Sequence, residues 1–188
     1  MKRLLLIRHC NAEGQHSDSP LTREGIKQAR VLADFLEQVN YPVDRIISSP
    51  YLRAIESIKP YADNHHVSVE TDERLKERLL SEEPIDDWLD VLQQSFQDPD
   101  FRLRGGESSN DALARSFSIV QDTLESNQHD NVVLVTHGNL LAILLNEFEK
   151  SYGFDEWKQF SNPDVFMVEI TPDGYLVQRL WEEKSANS

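Results

Sequence analysis

The chain has 188 residues, enough for one globular domain with a sizeable core. Hydrophobic residues at 39% and charged residues at 28% argue against a disordered or membrane-embedded chain. The net charge of −14 argues against nucleic acid or anionic membrane as a partner, since both require a cationic face.

A cluster of arginines can still hold a small anion inside an acidic molecule, because salt screens distant charge within about 8–10 Å. No run approaches the roughly 20 apolar residues of a membrane span. Four apolar residues before Arg8 fall short of the roughly 7–15 in a signal-peptide core. A single cysteine allows no internal disulfide and fits a reducing compartment, so a cytoplasmic location is expected.

The first predicted element is a short buried strand, Leu4 to Ile7, that stops at Arg8-His9-Cys10-Asn11. Charge at the rim of a core is unfavourable unless something there uses it, so His9 is a candidate nucleophile and Arg8 a candidate anion ligand. Residues 11–20 read as a loop. Thr22 caps a helix whose apolar face is Ala29, Leu32, Ala33 and Leu36. A second strand, about 43–48, ends at Ser48-Ser49. Pro50 is expected to open the next helix, and Pro60 to kink or end it.

A short strand over 67–71 precedes a charged irregular stretch, 72–84. Ile85, Trp88, Leu89, Leu92 and Phe96 predict an amphipathic helix whose aromatic residues belong to a core rather than a substrate contact. After a loop through Gly105-Gly106-Glu107-Ser108, which reads as a capping turn, Leu113, Phe117, Val120 and Leu124 mark another helix. Val132 to Thr136 is a buried strand closing on His137-Gly138-Asn139, and a leucine-rich helix follows. Two strands flanking Thr171-Pro172-Asp173-Gly174 form a terminal hairpin.

Strands alternating with helices predict a three-layer α/β/α sandwich, its mostly parallel sheet carrying an antiparallel edge from that hairpin. One domain over 1–181 is expected, with a capping insertion at about 78–106 and a frayed tail at 182–188. In such sheets ligands bind beyond the carboxyl ends of the strands. Arg8-His9, Ser48-Ser49 and Thr136-His137 all sit at those ends, and two imidazoles beside arginines suit phosphoryl transfer through a phosphohistidine. Two histidines lack the third ligand of a zinc site, so no metal is expected. His65 and His66 read as solvated.

Leu6-Ile7-Arg8-His9, Leu21-Thr22-x-x-Gly25-x-x-Gln28-Ala29, Ser48-Ser49-Pro50-x-x-Arg53-Ala54, Gly106-Glu107-Ser108 and Val135-Thr136-His137-Gly138 resemble, in order, the motifs of the histidine phosphatase superfamily, the phosphoglycerate-mutase-like group. The resemblance spans residues 4–139 and implies a phosphoglycerate-mutase-like fold and the following roles. His9 would be the phosphorylated nucleophile. Arg8, Arg53 and His137 would hold phosphoryl oxygens. Glu77, in Leu75-Lys76-Glu77, would be the acid/base, with Glu73 as competitor and Glu82 and Glu83 beyond the motif. Gln15 would reach the phosphate, and the backbone amides of Gly138 and Asn139 would add donors at a helix N-terminus.

The sequence departs from the family at Cys10, where a glycine is usual. If that position needs positive φ, cysteine would strain it by about 1–3 kcal/mol; otherwise Cys10 is a spectator thiol, placed where oxidation could block the pocket. Asn11 stands where the mutases carry glutamate, no Arg-His-Tyr-Gly segment follows the acid, and the chain is short for a mutase. The implied activity is hydrolysis of a small phosphorylated metabolite without a cofactor. The rivals are a phosphoglycerate-type mutase and a non-catalytic phospholigand-binding module. Specificity is expected in residues 85–104, where Arg102 and Arg104 read as solvated or as ligands for a second anionic group. Oligomeric state is open.

Overall fold

The computed structural model describes residues 1–182. The expected frayed tail therefore lies, beyond Glu182, outside the described residues. Six strands form one sheet: β1 (Arg3–Arg8), β2 (Arg45–Ser48), β3 (Val69–Thr71), β4 (Asn131–Thr136), β5 (Asp164–Thr171) and β6 (Gly174–Arg179), in the order β3-β2-β4-β1-β5-β6. β1, β2, β3 and β4 are parallel; β5 runs antiparallel to β1, and β6 to β5.

The apolar run of β1 is continuous because both faces of the sheet are covered. Leu5 and Ile7 join Ile46, Val133 and Val135 beneath α1 (Arg23–Glu37) and α2 (Leu52–His65). Leu4 and Leu6 join Ile47, Val132 and Leu134 on the other face, beneath α4 (Ser109–Glu125) and α5 (Gly138–Phe148). Between α2 and α4 in sequence comes α3 (Trp88–Gln97), which meets the short α6 (Phe154–Lys158) through Trp88–Trp157 and Phe96–Phe154 ring contacts. Sequence periodicity did not reveal α6, whose five residues bury no side chain fully.

Side-chain caps account for two of the six α-helix starts among the described residues. Thr22 Oγ1 accepts from the Gly25 amide at 2.9 Å, and Ser108 and Asp111 form a reciprocal capping box. The expected start of α2 fails, and of the two outcomes expected at Pro60 the helix end does not occur. Pro50 does not open it, because the Ser49 amide still donates to Val135 O of the neighbouring strand and Ser49 Oγ takes the Tyr51 amide; Tyr51 is the cap instead. Pro60 does not end it: the helix runs on to His65, with Ile58, Tyr61 and Ala62 buried on either side of the proline. The packing of that face outweighs the one lost backbone hydrogen bond. Ile85 lies outside α3, whose Trp88 and Leu89 are about half exposed rather than core.

Gly25 has a positional reason. A Cβ there would lie 2.0 Å from the Asn11 carbonyl oxygen, so only glycine lets α1 approach the loop that follows His9. Gln28 Oε1 accepts the Asn11 amide at 2.8 Å from the next turn. The Leu-Thr-x-x-Gly-x-x-Gln pattern thus braces the segment carrying the first histidine.

Candidate active site

The parallel strands β1, β2 and β4 deliver their last residues to one edge, as the pattern requires. His9 is 8% exposed, Arg53 1% and His137 0%. The rings of His9 and His137 meet edge to face, 5.1 Å between centroids. His9 Nδ1 lies 2.6 Å from the Cys10 carbonyl, to which it must donate, since a carbonyl only accepts. Its Nε2 is then the lone-pair nitrogen, and Arg53 Nε donates to it at 3.3 Å. Burial, reinforced by the nearby Arg53 and Arg8 guanidinium groups and only partly opposed by the Cys10 hydrogen bond, lowers the His9 pKa to about 4. The ring is neutral at physiological pH.

His137 is likewise held well below the ordinary imidazole value, first by burial and then by His9 and the arginines. Its Nε2 lies 2.8 Å from Ser49 Oγ, while its Nδ1 is buried with no partner. Arg53 donates through Nη1 to the Gln15 and His16 carbonyls at 3.2 and 3.0 Å, and its guanidinium packs over the Tyr51 ring. The exposed Gln15 therefore meets Arg53 through its backbone.

Arg8 is fixed from an unexpected direction. Its Nη1 donates to Phe160 O at 3.2 Å, and Asn162 Nδ2 donates to the His9 carbonyl at 2.9 Å. Both contacts come from the segment entering β5. Because β5 is antiparallel, its first residue, Asp164, lies opposite Arg8 at the carboxyl end of β1. Arg8 Nε is buried without a partner. The guanidinium packs against the α5 N-terminus, where a Cβ on Gly138 would come within 2.9 Å of Arg8 Cζ.

Glu77 is half-buried at that same helix terminus. Its Oε1 accepts the Arg78 and Leu140 amides at 2.8 and 2.9 Å, and its Oε2 the Asn139 amide at 3.1 Å. The expectation that the Asn139 amide serves an anion is thereby corrected: the carboxyl oxygens of Glu77 cap that helix terminus. Glu77 faces Arg8 and Arg53, being the main charge that opposes the burial-driven lowering of both guanidinium pKa values. Glu73 stands at the outer rim of the same cavity, paired with Lys76 and 72% exposed. Glu82 pairs with Arg104 in the loop.

A cavity of about 550 Å³ opens here, lined among others by Gln15, Tyr51, Arg53, Glu77, Glu107 and Arg115. Residues 85–104 do not line it, contrary to expectation; Arg102 pairs with Asp111, and Arg104 is 95% exposed. Arg115 went unrecognised in the sequence. It grips Glu107 with Nε and Nη2 at 2.6 and 2.9 Å and donates to the Arg74 and Glu77 carbonyls, so it braces the loop that presents Glu77. Burial raises the Glu107 pKa, but the Arg115 pair and the Leu79 amide outweigh it, leaving the carboxyl below its ordinary range. Glu107 is therefore part of the site's scaffold as well as the residue before a helix cap.

Cys10 is fully buried in the hydrophobic core, and burial pushes its pKa up to about 12. Its backbone is not left-handed; among described non-glycine residues only His66 has positive φ. The strain considered for this position is absent, and so is the reactivity that oxidation would need.

The sequence pattern of the Histidine phosphatase superfamily (branch 1) matches residues 4–183. A protein of Hydrogenobacter thermophilus named "Putative phosphoserine phosphatase 2" is 32% identical over 161 residues, covering 77% of each chain. A "Probable phosphoglycerate mutase GpmB" of Yersinia pestis is 32% identical over 164 residues, 78% of this chain and 74% of that one. A mycobacterial glucosyl-3-phosphoglycerate phosphatase, solved with inorganic phosphate, shares the fold at a TM-score of 0.78 and 24% identity over the whole of both chains. With its motifs, sheet order and paired histidines on one edge, the chain belongs to the histidine phosphatase superfamily, branch 1.

Proposed function

We propose that the protein hydrolyses a small phosphomonoester through a phosphohistidine at His9. The observation that carries this reading is the state of His9: a buried neutral imidazole with Nδ1 committed to the Cys10 carbonyl and the Nε2 lone pair aimed at Arg53. A neutral, oriented nitrogen among cationic donors is what displacement at phosphorus needs.

In the first step the Nε2 lone pair forms a bond to phosphorus as the ester P–O bond breaks. Arg8 and Arg53 neutralise the phosphoryl oxygens, and His137 donates a hydrogen bond to one of them. The leaving oxygen takes its proton from protonated Glu77. A carboxylate offers about four lone-pair positions. Oε1 holds two amide hydrogens and Oε2 one, so Oε2 is the oxygen with room for that proton. In the second step Glu77 accepts a proton from water, the oxygen attacks phosphorus, the N–P bond breaks, and inorganic phosphate leaves. The relatives named for phosphoserine and glucosyl-3-phosphoglycerate phosphatases support a phosphorylated metabolite as substrate.

A fluorogenic phosphate ester tests this, with His9→Ala as control. Loss of the nucleophile should reduce turnover by about 10⁴-fold or more, and acid-labile, base-stable label should appear on the wild type alone. Turnover surviving in His9→Ala would overturn the mechanism. Dependence on a bisphosphorylated sugar acid with little phosphate release would identify a mutase instead.

A further inference from the structure

We propose that Ser49 is a positioning residue that fixes His137 as the tautomer with its proton on Nδ1, making that nitrogen a donor to the phosphoryl oxygen. The proposal rests on the reading of His137 as a phosphate ligand and adds what sets its orientation and protonation.

The argument is an account of hydrogens. Ser49 is fully buried at the end of β2, and its amide is spent on Val135 O. Its hydroxyl oxygen already accepts the Tyr51 amide at 3.2 Å. Its hydroxyl hydrogen has one acceptor within reach among the described residues, His137 Nε2 at 2.8 Å. Were Nε2 to carry the ring proton and donate to Ser49, the buried hydroxyl hydrogen would be left without a partner, which folded proteins avoid. The ring being neutral, a lone pair on Nε2 puts the hydrogen on Nδ1. That nitrogen is buried and has no partner in the protein. The Asn139 and Leu140 amides that a histidine at a helix cap could otherwise engage are both taken by Glu77. A buried N–H without a protein acceptor, on a ring packed 5.1 Å from the His9 ring, is suited to an oxygen of the ligand.

Two measurements test this without requiring turnover. Long-range ¹H–¹⁵N spectra of histidine-labelled wild type, with His137 assigned from the His137→Gln spectrum, should show the Nδ1–H tautomer. Ser49→Ala should shift that signal toward Nε2–H or a mixture, and Ser49→Thr, which keeps a hydroxyl, should restore it.

Binding of inorganic phosphate should weaken about tenfold in Ser49→Ala. It should weaken little further when Ser49→Ala is added to His137→Gln, because the effect runs through the imidazole. An Nε2–H tautomer in the wild type overturns the proposal. So does an equal loss of phosphate affinity in both backgrounds. A wild type that binds phosphate in the Nδ1–H form yet hydrolyses no ester supports this assignment while overturning the hydrolase reading.

Discussion

Acid should destabilise this protein through His9, the proposed nucleophile. His9 has an ordinary pKa of 6.5 when unfolded and about 4 when folded. Between those values the unfolded chain binds a proton that the native site refuses. Stability is therefore full above pH 6.5 and is lost as pH falls toward 4. At about 1.4 kcal/mol per tenfold change in proton affinity, the loss from His9 totals about 3 kcal/mol, a large part of a typical domain's stability. The assay is urea unfolding at half-unit steps from pH 7.5 to 4.5, comparing wild type with His9→Asn. The variant removes the titrating ring, so its stability should fall less steeply, by about 1.4 kcal/mol per pH unit across the window. His137, lowered first by burial, contributes to both proteins; the smaller part of its shift that comes from His9 is lost in the variant and adds to the difference in slope. Parallel curves would refute the argument that burial and neighbouring arginines keep His9 neutral. Proton affinity also sets the acid limit of reactivity, so phosphohistidine formation should persist at pH 5.5, below the ordinary imidazole pKa.

Gly138→Ala drives a methyl group within 2.9 Å of the Arg8 guanidinium; displacing that charged donor should weaken phosphate binding by about tenfold or more, measured by titration calorimetry. Glu77→Gln should lower turnover of esters with poor leaving groups by about 10²–10⁴-fold and that of an activated aryl phosphate much less, a split that steady-state kinetics on the two substrates will show. Gly25→Ala places Cβ 2.0 Å from a backbone oxygen and should destabilise by about 1–3 kcal/mol or more in urea unfolding, since backbone cannot rotate aside. Cys10 should be silent to a thiol reagent in the native protein at pH 8 and react fully once unfolded, as its burial and pKa of about 12 require.

What the sequence revealed follows its local chemistry. Arg8-His9 ends a strand that four apolar residues define, and Thr136-His137 ends another, so their convergence was readable from alternation and from the rule for parallel sheets. The cap at Thr22 was readable for the same local reason. Pro60 and Pro50 misled because the packing of α2 and the hydrogen bonds of Ser49 are tertiary facts that override local preference. Asn162 carried no usable signal: it sits in a loop 153 residues after the His9 carbonyl it binds. Arg115 read as one more surface charge on a helix, since its partners Glu107, Arg74 and Glu77 lie on other segments. Of the insertion expected at about 78–106, Arg78 and Leu79 line the described cavity, whereas 85–104, where specificity was expected, do not.

The sheet order also bears on assembly during synthesis. β1 is made first, yet its two neighbours are β4 and β5, whose residues emerge from the ribosome more than a hundred positions later. Until then β1 has no hydrogen-bonding partner, and neither Phe160 nor Asn162 exists to orient Arg8 and His9. Pairings of such long sequence separation form slowly, because loop closure precedes the contacts that reward it. Truncated or half-made chains will therefore carry the motif without the ordered imidazole. Of the six strands, the one that leads to His9 comes earliest in the sequence and is among the last to be completed.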